Sequence, residues 1–193
     1  MKTGIIAPVF KNKNSLKHPD NYRRITVTSI VGNVLEKVMV RPTKEVLKKR
    51  LIKLQRGFCT ASSSINTVFL ISEALAEAKD CNETLYTCFL DASKAFDVVW
   101  HEELLYNLYQ HGVSDDLRLL YRSLYTKMSS QVKWDGKCSE VFHEAQGVWQ
   151  GGIPSTKLFK ARCDPLLWDL EKSMLGYSIG LVDVSAPTCA DHQ

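Results

Sequence analysis

Asp91 ends an apolar run, Thr84-Leu85-Tyr86-Thr87-Cys88-Phe89-Leu90, and is followed by Ala92-Ser93-Lys94-Ala95-Phe96-Asp97. A carboxylate at the end of a buried strand, with a turn after it, is well placed to hold a divalent metal. It could equally cap a following helix. Asp191 is a second such carboxylate, after Cys189-Ala190 and a turn signal at Ala186-Pro187. Nucleotidyl transfer needs two carboxylates on separate strands around a pair of Mg2+ ions roughly 4 Å apart. Only a sheet that lays the two strands side by side could unite Asp91 and Asp191. A third candidate is Gln150-Gly151-Gly152, because consecutive glycines let a backbone approach a ligand closely. The plainer reading is a tight turn between two elements.

The elements around these residues can be read from period and punctuation. Residues 84–91 are rich in aromatic and branched residues and read as a strand, apolar enough to be buried on both faces. Residues 11–24 are polar and basic with a turn at Pro19-Asp20-Asn21, an expected exposed loop. From Ser29 the apolar residues Ile30, Val31, Val34, Leu35 and Val38 recur at helical steps, with Pro42 expected to break or restart the helix. A second set follows in Val46, Leu47 and Leu51. Residues 62–79 read as an amphipathic helix burying Ile65, Val68, Phe69, Leu75 and Ala76. A helix from His101 to His111 turns Leu104, Leu105 and Leu108 inward and is closed by Gly112. Ser114-Asp115-Asp116 opens the next, with its acids on the favourable end of the dipole. Residues 129–144 read as a hairpin turning at Asp135-Gly136, residues 155–170 as a helix containing Pro165, and residues 179–183 as a short strand.

Charge is divided along the chain. Residues 1–60 hold 14 Lys and Arg against three acids, while residues 61–193 hold 11 against 18. A basic arm beside an acidic centre suits an enzyme that grips a polyanion while chelating metal, and it also suits an ordinary solvated helix. No apolar run approaches the roughly 20 residues that span a bilayer, and the opening residues do not make a signal peptide. An intracellular protein, nuclear or cytoplasmic, is expected. The six cysteines never stand at CxxC spacing, which argues against zinc, and dispersed cysteines on apolar stretches are expected as buried free thiols.

Order along the chain narrows the reading. Lys2-Thr3-Gly4-Ile5-Ile6-Ala7-Pro8-Val9-Phe10-Lys11 is followed by Asn21-Tyr22-Arg23, then Gln55-Arg56-Gly57-Phe58 and a serine cluster. Phe89-Leu90-Asp91-Ala92-Ser93-Lys94-Ala95-Phe96-Asp97, Gly147-Val148-Trp149-Gln150-Gly151-Gly152 and Ala190-Asp191 complete the series. This resembles the reverse transcriptase domain of non-long-terminal-repeat (LINE-type) retrotransposons, over nearly the whole chain. The resemblance implies an α+β fold, the fingers and palm of a right-hand polymerase. Residues 1–80 would be mainly fingers and 81–193 mainly palm, with an antiparallel palm sheet and packed helices. The chain would be a fragment, with the thumb and the rest of the palm beyond Gln193.

The resemblance also implies roles. Asp91 and Asp191 match the catalytic, metal-binding aspartates, and the carbonyl of Ala92 would complete one metal's shell. The implied cofactors are two Mg2+ ions, with Mn2+ as a substitute. Phe96 matches the aromatic residue whose ring occupies the space of a ribose 2′-hydroxyl. Gln150 and Gly151 match the loop that packs against the incoming nucleotide, and Arg23 lies in the fingers motif associated with triphosphate and template. Lys94 and Asp97 are expected to brace their turn. The implied partners are an RNA template, a DNA primer and a dNTP, with no membrane. Several positions depart from the pattern. His192 replaces the second aspartate of the last motif and Cys189 its aromatic residue. Trp149 stands where arginine is common, Arg24 replaces a proline, and Pro154 and Thr156 disturb the usual Leu-Ser-Pro. Three activities follow as expectations: RNA-directed DNA synthesis, weak or absent in this chain; a catalytically dead nucleic-acid-binding relic; or a maturase-like enzyme.

Overall fold

The computed structural model describes residues 3–12, 15–51 and 64–188. Strand β1, Thr3–Phe10, lies between two partners. Strand β2, Tyr22–Val27, runs antiparallel to it, with Ile5 opposite Val27 and Phe10 opposite Tyr22. Strand β3, Ser129–Trp134, runs parallel to it, with Thr3 opposite Ser129 and Ile6 opposite Val132. Pro8 lies beyond that parallel ladder, so its missing N–H removes no sheet hydrogen bond on that side. Strands β4, Lys137–Cys138, and β5, Phe142–His143, both pair antiparallel with β3. The expected antiparallel sheet is therefore corrected to a mixed one. The long helical connection from β2 to β3 supplies the crossover that a parallel neighbour of β1 requires. The expected loop over residues 11–24 holds only in part. A 3-10 turn forms at Pro19–Asn21, but Tyr22–Arg24 already belong to β2.

Helix α1, Ile30–Arg50, passes through Pro42 without ending. Met39 and Thr43, on either side of the proline, are both buried, whereas Pro42 faces solvent. The buried stripe is Gly32, Glu36, Met39, Thr43 and Leu47. The apolar stripe marked by the sequence, Ile30, Val31, Val34, Leu35 and Val38, is exposed. Helix α2, Ser64–Asp80, shows the same reversal. It buries Thr67, Ala74 and Ala78 and exposes Ile65, Val68, Phe69, Leu75 and Ala76.

Helices α3, His101–Gln110, and α4, Asp115–Tyr125, follow the sequence reading. Leu104, Leu105 and Leu108 are buried, and two hydrogen bonds, Gly112 N to Tyr109 O and Val113 N to Leu108 O, close α3. This is the Schellman pattern, with apolar Val113 and Leu108 buried beside it. Ser114 caps α4 by position, though its side chain makes no capping hydrogen bond. The β3–β4 hairpin turns at Asp135 and Gly136, both at positive φ, as a two-residue type I′ loop demands. Helix α5, Ser155–Ser173, continues through Pro165. Residues 179–183 are not one strand. Strands β6, Ser178–Ile179, and β7, Val182–Asp183, form a small antiparallel hairpin.

The described residues fall into two compact units. One takes those within Met1–Lys49 and Lys94–Phe159, the other those within Arg50–Ser93 and Lys160–Gln193. In the first unit, the core gathers α1, α3 and α4, and Thr43 Oγ1 meets the Tyr121 hydroxyl at 2.9 Å, tying α1 to α4. In the second, residues 84–91 form no strand, and Tyr86, Phe89 and Leu90 are 90, 80 and 78% exposed. The expected buried strand is thus corrected to an irregular, exposed segment with which no described strand pairs. Cys81, Cys88 and Cys138 are exposed and Cys163 is half-buried, all as free thiols, so the expected burial of cysteines is also corrected. No helix among the described residues is long and apolar enough to cross a membrane.

Candidate functional site

The turn after Asp91 is built by its own backbone. Asp97 N donates to Lys94 O at 2.7 Å, and Lys94 takes a positive φ of 55° to allow it. Two ion pairs hold the turn from outside, Lys94 with Asp20 at 3.3 Å and Asp97 with Arg24. Lys94 and Asp97 thus tie the turn to its neighbours. Arg24 supplies one brace from β2. Phe96 is only 7% exposed, and its ring lies 5.3 Å from that of Phe159.

The glycine loop is sewn to this turn. Gly147 N donates to Val99 O and Val148 N to Phe96 O, each at 2.8 Å. Gly147 has φ +96°, and a Cβ there would lie 3.0 Å from Asp97 O, so the approach depends on having no side chain. His101 Nε2 donates to Gly147 O at 2.7 Å. Val148 and Trp149 are buried and anchor the loop. Trp149 serves here as a core residue. Next comes the crest, half-buried Gln150 and exposed Gly151. Thr26 N, from β2, donates to Gln150 O at 2.7 Å. Gly151 has φ +108°, and a Cβ would lie 3.1 Å from Thr26 O. Beyond the crest, Ile153 N donates to Glu36 Oε2 at 2.9 Å and Ser155 Oγ to Trp149 O at 2.7 Å.

The structure thus brings Phe96, Gln150 and Gly151 into one hydrogen-bonded assembly. Arg23 is half-buried in β2, and strand alternation puts it on the opposite sheet face from Arg24 and Thr26. Asp91 and Ala92 are exposed on the irregular segment of the second unit. Asp191, with Cys189, Ala190 and His192, lies outside the described residues, as does Gln55-Arg56-Gly57-Phe58. Among the described residues, no three His, Cys, Asp or Glu side chains form a metal-binding group. The carboxylate of Asp91 and the carbonyl of Ala92 are hard oxygen donors, the kind Mg2+ takes.

Sequence reading missed Glu36 and His101. Glu36 is 1% exposed, and burial raises its pKa above the usual carboxylate value, partly offset by the Ile153 amide. Its signal was faint, a single acid inside an otherwise apolar helical run.

The family model for Reverse transcriptase (RNA-dependent DNA polymerase) matches residues 11–183. The chain is 30% identical over 142 residues to the RNA-directed DNA polymerase from mobile element jockey of Drosophila funebris, covering 72% of this chain and 15% of that protein. It is 29% identical over 181 residues to the Pol polyprotein from type-2 retrotransposable element R2DM of Drosophila melanogaster, covering 91% and 16%. A type-1 element R2 polyprotein of Popillia japonica is 22% identical over 191 residues, covering 98% and 27%. The chain therefore spans about a quarter or less of the curated relatives it matches.

Proposed function

The chain belongs to the reverse transcriptase (RNA-dependent DNA polymerase) family, on its non-long-terminal-repeat retrotransposon branch, and from that premise we propose that it serves RNA-templated addition of deoxynucleotides to a primer 3′ end. One observation carries the reading. The turn bearing Phe96 and the crest Gln150–Gly151 are parts of one backbone assembly, joined through Val148 N and Phe96 O at 2.8 Å. Two motifs some fifty residues apart acquire a shared purpose if the incoming nucleotide lies against both. The crest would receive the nucleotide, and Phe96 would limit the depth available to its sugar, so that a 2′-hydroxyl meets a wall. Arg23 enters on the resemblance alone.

Asp91 and Asp191, with the Ala92 carbonyl, would hold Mg2+. When bound, the ions supply Lewis-acid stabilisation of charge on the transferring phosphate. His192 bears on the rate. A neutral imidazole cannot replace the negative charge of a carboxylate toward Mg2+. Preorganised charge acts chiefly in the transition state, so its loss falls on turnover more than on binding. That residue favours the second reading, a nucleic-acid-binding relic with little or no turnover.

Primer extension on an RNA template with Mg2+ tests both. The expected outcome is binding of template–primer and dNTP, extension at or below detection, and a gain of extension in His192→Asp that Asp91→Ala abolishes. Extension that survives Asp91→Ala would remove Asp91 from the site, and failure to bind dNTP would sink the nucleotide assignment.

A further inference from the structure

The far leg of the glycine loop ends on a carboxyl oxygen inside the helical core. Glu36 sits mid-way along the first half of α1, on the stripe with Gly32, Met39, Thr43 and Leu47, and it is 1% exposed. Among the described residues no Lys or Arg pairs with it. Burying a carboxylate is costly unless its oxygens are hydrogen-bonded, and a methionine or leucine would fill the same space without that cost. The carboxylate adds an acceptor at a defined point. Its Oε2 takes the N–H of Ile153 at 2.9 Å, the amide that follows Gly152.

Two bonds close the crest on itself, Gly152 N to Trp149 O at 2.9 Å and Ser155 Oγ to Trp149 O at 2.7 Å, while the loop's ties to other elements lie on its near side or at its top. Gly147 and Val148 are tied to the Phe96 turn, and Gln150 O is tied to Thr26 in β2. Those two bonds hold the crest's shape but do not tie its far leg to a neighbouring element, and glycine at 151 and 152 has wide backbone freedom. We propose that Glu36 is a positioning residue for the crest Gln150–Gly151: by holding the Ile153 amide it ties the far leg of the self-closed loop to α1, as Thr26 and Phe96 tie its top and near leg to their own elements. The proposal rests on the assignment of that crest to the incoming nucleotide.

The test uses the full chain and three variants: Glu36→Leu removes the acceptor, Glu36→Gln keeps one at the same reach, and Glu36→Asp keeps the charge but shortens the reach. Amide hydrogen exchange reads the leg, and equilibrium binding of a dNTP to the template–primer complex with Mg2+ reads the crest. Losing one buried hydrogen bond is expected to speed Ile153 exchange about tenfold or more in Glu36→Leu and Glu36→Asp. The β1–β3 amides of Ile5 and Gln131 should keep their rates, dNTP binding should weaken severalfold and template–primer binding should hold. Glu36→Gln should restore most of both. Unchanged Ile153 exchange, equal acceleration of every amide, or dNTP binding indifferent to Glu36→Leu would each overturn the proposal. If Glu36→Leu does not fold, Glu36→Asp and Glu36→Gln decide by the same readouts. A wild-type chain that binds no dNTP marks failure of the nucleotide assignment instead, and Ile153 exchange still tells whether Glu36 holds the loop.

Discussion

Gly151 combines a backbone angle open to few residues with a close neighbour. A methyl group there meets Thr26 O at 3.1 Å while φ stays at +108°. Gly151→Ala is expected to cost about 1–3 kcal/mol, the usual scale for a side chain forced into such a region. Denaturant unfolding against Gly136→Ala, whose added Cβ has open space, separates the contact from the backbone angle. Equal losses in the two would mean that Thr26 O contributes nothing. Glu36 makes a pH prediction. Burial raises its folded pKa above 4.5, so the folded state prefers the protonated acid. This contribution to stability is complete below pH 4.5, is lost as pH rises through the raised folded value, and is level beyond it. Glu36→Gln carries no such titration. Its stability relative to wild type should therefore climb over that window and then flatten, and a difference independent of pH would refute the burial argument.

At the level of elements, the joint between α1 and α4 is a buried hydroxyl pair. Thr43 Oγ1 donates to Met39 O at 2.8 Å and meets the Tyr121 hydroxyl at 2.9 Å. Burial holds the Tyr121 phenol up to about 12, so it stays protonated at any ordinary pH. Tyr121→Phe is expected to cost about 1 kcal/mol, and Tyr121→Phe with Thr43→Val should cost less than the two singles summed, which a double-mutant cycle by urea unfolding measures. The elements most legible in the sequence are those whose signals are local. Helices α3 and α4 announce themselves by leucine spacing and flanking Gly and Asp, and the β3–β4 hairpin by Asp135-Gly136. Strands β1 and β2 were not legible, because Pro8 and the basic pair Arg23-Arg24 are poor strand signals and only pairing decides them. In the candidate site, the Phe96 turn and the glycine loop could be named in advance. The hydrogen bonds of Thr26, His101 and Glu36 to the loop could not, since each spans a long sequence separation. In α1 and α2 the apolar spacing marked helices correctly but named the faces that are exposed.

For the molecule as a whole, these exposed faces and the segment 84–91 set its behaviour in solution. Tyr86, Phe89 and Leu90 stand exposed in an irregular stretch with which no described strand pairs. Uncovered apolar segments of this kind recruit other chains through backbone pairing. The chain is expected to self-associate at micromolar concentration, and Phe89→Lys to shift it toward monomer in sedimentation velocity. A wild type that stays monomeric would contradict this. On the proposed function, the basic portion would set binding to nucleic acid. Lys44 and Lys48 are exposed on α1. Replacing both with Ala should weaken RNA–DNA hybrid binding for every sequence and flatten its log–log salt dependence by about two units if each meets one phosphate.

The Asp135–Gly136 tip offers a practical handle. A Cβ on Gly136 would find nothing within 4 Å, and the thiol of Cys138 stands exposed two residues further on. A dye attached at that sulfur, once the other five cysteines are changed to serine, would report on tumbling and, on the proposed function, on docking to a nucleic-acid strand. It would do so without displacing any atom of the core.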